Sequence, residues 1–402
     1  MNDPGDKFFG DSTVHPAQPP SSAVPSNLPI AEPYILGDPS KIPPREFIYG
    51  GHYIHKFVTA TAGIGGAGKS TVVLAEALAI ATGRNLLGEK PTERCRVWYV
   101  NLEDPKDEID RRIAATAKHY NIEQEELEGY LFVSSGRSSS FIIAEDSHQG
   151  VVIVQPVVDA LKAEIVKSGV GLLIVDPFVK SHRVAENAND QIDAVISTFA
   201  EIAEETGACI ELVPHLRKGI GDRGSDDIRG ASALVAAVRS ARIVNVMAPE
   251  LAKELEIVDG NWRYLRVDDG KRNMAPPAES ANWRRLESVN LGNQTETRPS
   301  DSVGVAVHWK LPDPFDGVTV DDLRRVQQHI DDGNYRANVQ ADDWVGKAVA
   351  EVLDMDIERK SDKSKIKQML KTWLANKALK VVEKDDGNRK PKKFIEVGIW
   401  AI

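Results

Sequence analysis

A glycine-rich segment at residues 63–71 constrains the fold of this chain more than any other feature. It reads Gly-Ile-Gly-Gly-Ala-Gly-Lys-Ser-Thr, it follows the strand-like run at residues 56–60, and it precedes the apolar, helix-forming run at residues 72–80. The segment fits the pattern G-x-x-x-x-G-K-[ST], which is meaningful in the order strand, loop, helix. Because that order is present, we expect a loop that binds the phosphates of a nucleoside triphosphate. A glycine-rich loop without function is the alternative.

The residue types of this segment suit phosphate binding. Glycines allow positive φ angles and bring backbone N–H groups close to phosphate oxygens, and the following helix directs its partly positive N-terminus at the same anions. Lys69 would neutralise the β and γ phosphates, and the Ser70 hydroxyl would bind Mg²⁺. The predicted cofactors are therefore ATP and Mg²⁺. The predicted binding residues are Gly63, Gly65, Gly66, Ala67, Gly68, Lys69, Ser70 and Thr71.

Bulk properties limit the remaining choices. A chain of 402 residues predicts two to three domains, and its net charge of −10 argues against a protein that coats nucleic acid with its whole surface. Cys95 and Cys209 lie in or beside apolar runs, so no disulfide framework is expected. No apolar run is long enough for a membrane span, and no secretion signal is recognisable at the N-terminus. We expect a cytoplasmic protein.

The chain divides into three regions by composition. Residues 1–45 hold ten of the 22 prolines and predict a disordered leader. Strand-like and helix-like runs alternate over residues 46–300, which predicts an α/β fold with a doubly wound, mainly parallel sheet. Residues 293–302 read as a polar linker, and residues 305–402 predict short helices followed by a strand pair, as in a small winged-helix-like domain. Predicted strands cover residues 96–100, 130–133, 171–175, 208–213, 241–246 and 264–267, with helices at 105–120, 156–167, 191–205 and 231–240.

Two acidic residues follow predicted strands at the edge where parallel sheets bind ligands. Asp176 ends the apolar run Leu-Leu-Ile-Val-Asp and is predicted to bind Mg²⁺; it could instead cap the turn at Pro177. Since Pro177 leaves no glutamate beside Asp176, the predicted base for hydrolysis is Glu103, just past the strand at residues 96–100. The alternative is that Glu103 is a surface carboxylate, next to an Asp104 that caps a helix starting at Pro105.

A histidine and several cations follow the next predicted strand. His215, in the run Pro-His-Leu-Arg-Lys-Gly, is expected to contact the γ phosphate and to respond to its loss; a structural or exposed histidine is equally plausible. The loop from Lys218 to Asp227 is rich in glycine and charge, as expected of a substrate-contacting loop or of a solvated one.

Several ordered blocks resemble the plasmid RepA-type hexameric replicative helicases, which are relatives of RecA and DnaB. The resemblance covers about residues 46–290. Its blocks are Gly-Gly-Ala-Gly-Lys-Ser at 65–70, Leu-Glu-Asp at 102–104, Val-Asp-Pro at 175–177, Glu-Asn at 186–187, Pro-His-Leu-Arg-Lys-Gly at 214–219, Arg-Gly-Ala-Ser-Ala-Leu at 229–234 leading to Arg239, and Lys-Arg-Asn at 271–273. The chain differs from the family in that Pro214 replaces the usual second histidine.

This resemblance implies a RecA-like ATPase domain at residues 46–300 and a ring with nucleotide between subunits. Arg239 would reach the γ phosphate of the neighbour as an arginine finger, assisted by Lys271. Arg239 and Arg242 could instead be ordinary cations near a helix end. The loops after two strands would line a central pore for single-stranded DNA, with Lys180, Arg183, Arg217, Lys218 and Arg223 as cations.

The C-terminal region has an uneven charge distribution. Residues 356–393 contain 13 lysines and arginines against 6 acidic residues, whereas residues 305–355 contain 5 against 10. The predicted DNA contacts of this region are Lys365, Lys367, Lys371, Arg389 and Lys390, on one helix and the hairpin tip. A solvated lysine-rich face is the competing interpretation.

Together these features predict an ATP-dependent DNA helicase or translocase that works as a homo-hexamer in plasmid, phage or mobile-element replication. An ATP-gated DNA-binding regulator or helicase loader is the alternative, and the added basic domain favours it. A small-molecule kinase fits less well, because Glu103, Arg239 and the basic loops have no role in one.

Overall fold

The computed structural model describes residues 31–148, 150–216, 232–276, 281–385 and 391–402. The chain divides into two compact units, Met1–Pro44 and Arg45–Ile402. In the first unit, the described residues 31–44 contain one short 3-10 turn at Pro39–Lys41, and the Asp38 carboxylate accepts a hydrogen bond from the Ser40 N–H at 2.9 Å. The predicted disordered leader falls mostly on residues 1–30, which lie outside the described residues.

The second unit contains all of the named strands and α-helices. The described strands are β1 Phe47–Tyr49, β2 Tyr53–Ile54, β3 Val58–Ile64, β4 Arg96–Asn101, β5 Leu131–Ser135, β6 Ala144–Ser147, β7 Gly150–Ile153, β8 Val170–Asp176, β9 His182–Arg183, β10 Cys209–Leu212, β11 His215–Leu216, β12 Ser240–Val246, β13 Tyr264–Arg272, β14 Asn282–Asn290, β15 Ser302–Trp309, β16 Tyr335–Arg336, β17 Leu379–Asp385 and β18 Pro391–Val397. The described α-helices are α1 Lys69–Thr82, α2 Lys106–Tyr120, α3 Gln124–Leu127, α4 Gln155–Ser168, α5 Asn189–Thr206, α6 Ser232–Ala237, α7 Pro249–Glu254, α8 Val320–Asp331, α9 Val345–Leu353 and α10 Lys360–Ala375.

The main sheet has the strand order β15-β14-β13-β12-β3-β10-β8-β4-β5, and β11 pairs with β3 beyond the end of β10. Strands from β12 to β5 are parallel, whereas β13, β14 and β15 are added antiparallel. Helices cover both faces: α1 and α2 pack in one apolar cluster, and α4, α5 and α6 pack in the other. The predicted α/β fold with a mainly parallel sheet is confirmed.

Helix α1 packs against one face of the main sheet, and residues Val72 to Ala81 are all buried. All of them are apolar except Glu76, which forms an ion pair with Arg242. The helix starts after Gly68, which has a φ of +82°. A Cβ at Gly68 would lie 2.6 Å from Leu265 Cδ1, so only glycine fits at this position. The loop and helix are therefore held close to β13 as well as to β3.

The antiparallel strands β14 and β15 were not predicted. They pair from Asn290 opposite Ser302 to Trp283 opposite Trp309. The predicted linker at 293–302 covers most of the connection between these two strands, and residue 305, the predicted start of the C-terminal domain, falls inside β15. The division of the chain at residues 300–305 stays a prediction.

After Trp309 the order of elements is α8, β16, α9, α10, β17, β18, and the small sheet has the order β16-β18-β17. Its apolar core includes Val326, Trp344, Ile366, Met369 and Trp373. The predicted terminal strand pair is confirmed, with Leu379 opposite Val397. The predicted hairpin tip falls on residues 386–390, outside the described residues. Among the helices that the structure describes, none has the length and apolar character needed to span a membrane.

Candidate active site

Lys69 is the first residue of α1 and is buried in the phosphate loop, with a relative exposure of 4%. Its Nζ donates to the carbonyl oxygens of Gly63 and Ile64, each at 2.9 Å, and to Nδ1 of His215 at 3.1 Å. Burial lowers the pKa of Lys69 to about 8, and the nearby Asp176 carboxylate opposes this shift. An ammonium that is partly desolvated and held by exchangeable carbonyls is well prepared to bind phosphate oxygens.

Asp176 ends β8 and is also buried, with a relative exposure of 3%. The Tyr99 hydroxyl donates to Oδ2 of Asp176 at 2.8 Å, and the Ser70 hydroxyl donates to the same carboxylate. Burial raises the pKa of Asp176, while these hydrogen bonds and the Lys69 charge oppose the rise. The following 3-10 turn, Phe178–Ser181, has no side-chain cap. Asp176 is therefore held toward the phosphate loop rather than used as a cap for that turn.

The residues at this point fit Mg²⁺ delivered with a nucleotide. The Ser70 hydroxyl and the Asp176 carboxylate are adjacent hard oxygen donors, and Mg²⁺ is usually held by one or two protein ligands together with phosphate oxygens and waters. Within the described ranges, no group of three or more His, Cys, Asp or Glu side chains could enclose a metal on its own. The donor set thus suits a metal that binds together with phosphate.

Glu103 lies two residues past β4, at the same edge of the sheet. Its backbone is fixed, because its N–H donates to Oδ1 of Asn101 at 2.9 Å and its carbonyl accepts from Arg137 Nε at 3.2 Å. Its side chain is exposed, and its negative charge is close enough to oppose the lowering of the pKa of His215. A fixed backbone and an exposed carboxylate at the edge that carries the phosphate loop suit the predicted role of Glu103 as a base.

The expected helix cap next to Glu103 is wrong. Helix α2 begins at Lys106, one residue later than predicted, and its N-cap residue is Pro105. The Asp104 carboxylate instead pairs with the Arg112 guanidinium at 2.8 Å and accepts from Asn101 Nδ2 at 3.1 Å. The Pro105 carbonyl accepts the first helical hydrogen bond, from the Ile109 N–H at 3.2 Å, so the helix begins one residue beyond the reach expected for an Asp104 cap.

His215 stands beside the phosphate loop, since β11 pairs with β3 and places His215 opposite Gly63. Desolvation lowers the pKa of His215, and the positive charge of Lys69 lowers it further. The carboxylates of Asp176, Glu103 and Glu186 oppose this shift. The neutral imidazole of His215 accepts a hydrogen bond from Lys69. It would lose this hydrogen bond when Lys69 binds a phosphate oxygen instead. The structure thus brings Lys69, Ser70, Asp176, Glu103 and His215 to one edge of the sheet.

Arg239 and Lys271 lie at the opposite edge. Arg239 is exposed and precedes β12, and its N–H donates to the carbonyl of Val58 at 3.2 Å. β12 runs parallel to β3, with Ser240 opposite Thr59, so Arg239 is at the amino end of strands whose carboxyl ends carry the phosphate loop. At about 3.3 Å per residue, a seven-residue strand separates the two edges by roughly 20 Å. Arg239 therefore cannot serve the nucleotide of its own protomer.

Lys271 accompanies Arg239. It is paired with Ala241 across β12 and β13, and its Nζ donates to the carbonyl of Val235 at 3.2 Å. Partial burial lowers the pKa of Lys271, and the Arg239 charge lowers it further. The structure brings these two cations together, as the resemblance implies, but at a distance from the phosphate loop.

Arg242 is not a helix-end cation, and that interpretation is wrong for this residue. It is 6% exposed and lies inside β12. Its guanidinium forms a buried, bidentate ion pair with Glu76 of α1, donates from Nε to Thr61 Oγ1 at 2.8 Å, and donates from Nη2 to the Tyr53 hydroxyl at 2.8 Å. Burial would raise the pKa of Glu76, but Arg242 holds it below its ordinary value. This pair ties the phosphate-loop helix to the sheet.

The buried network continues to the strand that leads to His215. Both carboxylate oxygens of Glu211 accept from threonine hydroxyls, those of Thr59 and Thr61. His52 Nε2 lies 3.1 Å from a Glu211 oxygen, and its Nδ1 lies 2.8 Å from Ser240 Oγ. Burial and the Arg242 charge lower the pKa of His52. A neutral ring therefore donates to Glu211 and accepts from Ser240.

The predicted DNA-contacting residues differ in exposure and in whether they form ion pairs. Lys180 is exposed, whereas Arg183 is paired with Glu145 at 2.9 Å across β9 and β6. Lys367 and Lys371 are exposed on α10, and Lys365 is half-buried there. The others lie outside the described residues: Arg217, Lys218, Arg223, Arg389 and Lys390.

A cavity of about 580 Å³ lies at the phosphate loop. It is lined by residues Gly66 to Thr71 and His215, and by Glu108, Arg111 and Arg112 of α2. Trp262, Leu286 and residues 301–304 complete the lining. Sequence reasoning missed the α2 residues and this last group, and it also missed Tyr99. None carries a motif, and only the pairing of β12 to β15 brings the last group to the loop.

Comparison with protein families gives a match to the first half of the chain. The model of a family described as an AAA domain matches residues 30–221. The match includes the phosphate loop, Glu103, Asp176 and His215, and it ends before β12 and the antiparallel strands. Residues 30–221 thus contain a P-loop ATPase domain, which implies nucleotide binding, usually with Mg²⁺, and supports ATP hydrolysis.

Proposed function

We propose that this protein is an ATP-dependent DNA helicase or translocase of the RepA type. In this proposal it works in the cytoplasm as a homo-hexameric ring during the replication of plasmid, phage or other mobile DNA. The observation that carries the proposal is the separation of Arg239 and Lys271 from the phosphate loop of their own protomer.

A head-to-tail ring gives this separation a use. In such an assembly the same two different surfaces meet at every interface, and a suitable rotation closes the ring. If the amino edge of one sheet faces the phosphate loop of the next protomer, the exposed Arg239 can stabilise charge on the γ phosphate. Lys271, beside Arg239, adds a second cation. Hydrolysis then depends on assembly, as a motor that couples its subunits requires.

Within one protomer the site residues have distinct tasks. Lys69 neutralises the β and γ phosphates, and Ser70 and Asp176 would hold Mg²⁺, whose role is to bridge phosphate oxygens and offset their charge. Glu103 accepts a proton from the attacking water. His215 contacts Lys69 at 3.1 Å. When the γ phosphate is lost, Lys69 changes its hydrogen-bond partner, and this change is transmitted through His215 to β11.

The proposed motor binds single-stranded DNA through cations after β8 and β11. Lys180 is exposed after β8 and is available for a phosphate contact. Arg183 is paired with Glu145, so it must exchange this partner to bind DNA. Since the contacts are electrostatic, DNA affinity should fall with a log-log slope of about one per phosphate contact as salt is raised.

The test is unwinding of forked duplexes with 5′ or 3′ tails by the full chain, with and without ATP. We expect ATP-dependent separation of the fork with one tail polarity, DNA-stimulated hydrolysis, and loss of both in Lys69→Ala. DNA-stimulated hydrolysis without strand separation on either fork would contradict the helicase and favour the alternative below.

The alternative is an ATP-gated DNA-binding regulator or helicase loader, and the C-terminal domain favours it. Its order of helix, strand, helix, helix and strand pair, with the small sheet β16-β18-β17, is that expected for the winged-helix-like domain that we propose. Lys367 and Lys371 lie one helical turn apart on the exposed face of α10. This face is a suitable surface for duplex phosphates.

A double variant, Lys367→Ala with Lys371→Ala, tests this surface. We expect weaker binding to duplex DNA and a log-log salt slope smaller by about two, because two phosphate contacts are lost. The matched control replaces Lys90 and Lys167, exposed lysines of the ATPase region, and should bind DNA as the unaltered protein does. Equal affinity and slope in all three proteins would exclude α10 as a DNA contact.

A further inference from the structure

The cavity at the phosphate loop is lined by two chemically different groups of residues. The backbone of Gly66 to Ser70 and the Lys69 side chain suit anions. Trp262, Leu286 and Val303 offer apolar surface. A volume of about 580 Å³ lies within the usual range for small-molecule sites. The lining therefore offers apolar surface in addition to the groups that bind phosphates.

Trp262 is unusual among the aromatic residues of this region. It lies in the short 3-10 turn Asn261–Arg263 and is 57% exposed, although it lines the cavity. Large aromatic side chains normally bury most of their surface. An exposed indole at the mouth of a cavity is a surface on which a flat ligand can stack.

The indole is also held in place before any ligand arrives. The preceding Gly260 has a φ of +95°, and a Cβ there would lie 2.5 Å from the indole Nε1. The Arg263 guanidinium carbon lies 5.0 Å from the centre of the Trp262 ring, within the range of a cation–π contact. Only glycine at position 260 permits this ring position. A fixed ring loses little conformational freedom when it stacks.

Polar side chains also line the cavity. Arg111 on α2 pairs with Glu108 at 3.4 Å and with Asp301 at 3.1 Å, and all three residues line the cavity. Asp301 directly precedes β15, so this contact ties α2 to the strands that carry Leu286 and Val303. Carboxylate oxygens at this position can accept hydrogen bonds from the hydroxyls of a sugar.

We propose that Trp262 is the residue on which the base of the bound nucleotide stacks, with Leu286 and Val303 as the apolar wall of the base subsite. The ligand class is a purine nucleoside triphosphate, whose phosphates lie at Lys69 and whose ribose lies near Glu108 and Asp301. This inference rests on the proposed function only in that it requires a nucleotide at the phosphate loop. It adds the base-binding residues, which the phosphate loop itself does not specify.

Stacking of a base on an aromatic side chain changes affinity by about 10- to 100-fold. Because the interaction is present before and during hydrolysis, its loss should raise KM and leave kcat nearly unchanged. A merely structural role for Trp262 would instead weaken every ligand of the loop and lower kcat.

The experiment compares the full-length protein with Trp262→Ala and Trp262→Phe, in binding to ATP and to inorganic tripolyphosphate with Mg²⁺. We expect Trp262→Ala to weaken ATP binding by about 10- to 100-fold and Trp262→Phe by less than about 3-fold, since phenylalanine still stacks. The affinity for tripolyphosphate, which has no base, should be the same in all three proteins. The control Trp400→Ala, an exposed tryptophan of the C-terminal domain, should bind ATP normally.

Two results would overturn the inference: unchanged ATP affinity in Trp262→Ala, or parallel losses of ATP and tripolyphosphate affinity in that variant. Failure of the proposed function gives a different pattern, in which forked duplexes stay intact in the presence of ATP while Trp262→Ala still weakens the binding of ATP and not of tripolyphosphate.

Discussion

The two edges of the main sheet hold their charges in opposite ways. At the carboxyl edge, Lys69 and Asp176 are 4% and 3% exposed, and each is fixed by several hydrogen bonds. At the amino edge, Arg239 is exposed and Lys271 is only half-buried. One edge is a prepared site for a ligand, and the other is a pair of cations that can reach outward. In the proposed ring, these two edges would come from neighbouring protomers and together form one hydrolytic site.

The contrast is repeated within a few residues of one strand. Arg239 precedes β12 and is exposed, whereas Arg242 lies inside β12 and is buried against Glu76. Buried charges are tolerated only when they are paired and hydrogen-bonded. Arg242 consequently stabilises the protomer, whereas the exposed Arg239 is the residue that we propose acts on the nucleotide of a neighbour.

The carboxyl edge gives the largest expected effect. Glu103→Gln removes the proposed base but keeps the size of the side chain, so kcat for ATP hydrolysis should fall by about 10²- to 10⁴-fold while ATP still binds. Steady-state hydrolysis and equilibrium binding of ATP measure the two effects. The matched control is Glu186→Gln, because Glu186 is an exposed carboxylate that also influences His215. If the control loses activity and Glu103→Gln does not, the role of base belongs to Glu186.

The two arginines provide the next test. Arg242→Leu leaves Glu76 buried without its cation, and the free energy of unfolding should fall by about 3–5 kcal/mol. Arg239→Ala, at an exposed position, should change it by less than about 0.5 kcal/mol. Chemical denaturation measures both variants. Combining Arg242→Leu with Glu76→Leu should cost less than the sum of the single changes, since the two residues are directly coupled. Additive losses would contradict the pairing.

Acid should destabilise the fold through a buried histidine on the carboxyl side of β8. His182, the first residue of β9, is 4% exposed and packs on Phe178, and burial lowers its pKa to about 4. The unfolded chain binds a proton near pH 6.5 and the folded chain does not, so stability is complete above pH 6.5 and is lost as the pH falls toward 4. The loss is at most about 3 kcal/mol. Unfolding curves of His182→Leu should lack this part of the pH dependence; identical slopes in both proteins would exclude His182 as its source.

An exposed ion contact should have the smallest effect. Glu256, just after α7, accepts from Ser361 Oγ at 3.0 Å and lies 3.5 Å from the Arg359 guanidinium, next to the start of α10. Because exposed pairs contribute little, Glu256→Gln should lower Tm by less than about 2 °C. A larger loss would show that exposed ion pairs also stabilise this protein. It would weaken the contrast between the buried charges of the carboxyl edge and the exposed charges of the amino edge.

Much of the carboxyl edge could be predicted from sequence. Buried parallel strands are continuous apolar runs, so β8 and its terminal Asp176 are visible in the run Leu-Leu-Ile-Val-Asp. The phosphate loop is visible because its glycines and Lys69 have fixed spacing. Glu103 follows a strand in the same way, and the end of a parallel strand is where ligands bind.

The remaining parts depend on contacts between distant segments. β14 contains adjacent arginines, Arg284 and Arg285, and so reads as polar until β13 and β15 lie on either side of it. Arg242 resembles a surface cation in sequence, because Glu76 is 166 residues away. Trp262 reaches the cavity only through the antiparallel strands. These features follow from tertiary pairing, which local patterns do not contain.

Mixing two inactive variants, Glu103→Gln and Arg239→Ala, tests most directly whether one site is built from two protomers. In a one-to-one mixture, an interface with Glu103 on one side and Arg239 on the other forms in about one quarter of cases, because each side is chosen independently in a heterologous ring. We therefore predict that ATP hydrolysis recovers to about one quarter of the unaltered rate, although each variant alone is inactive. A mixture that stays inactive at every ratio would contradict the shared site.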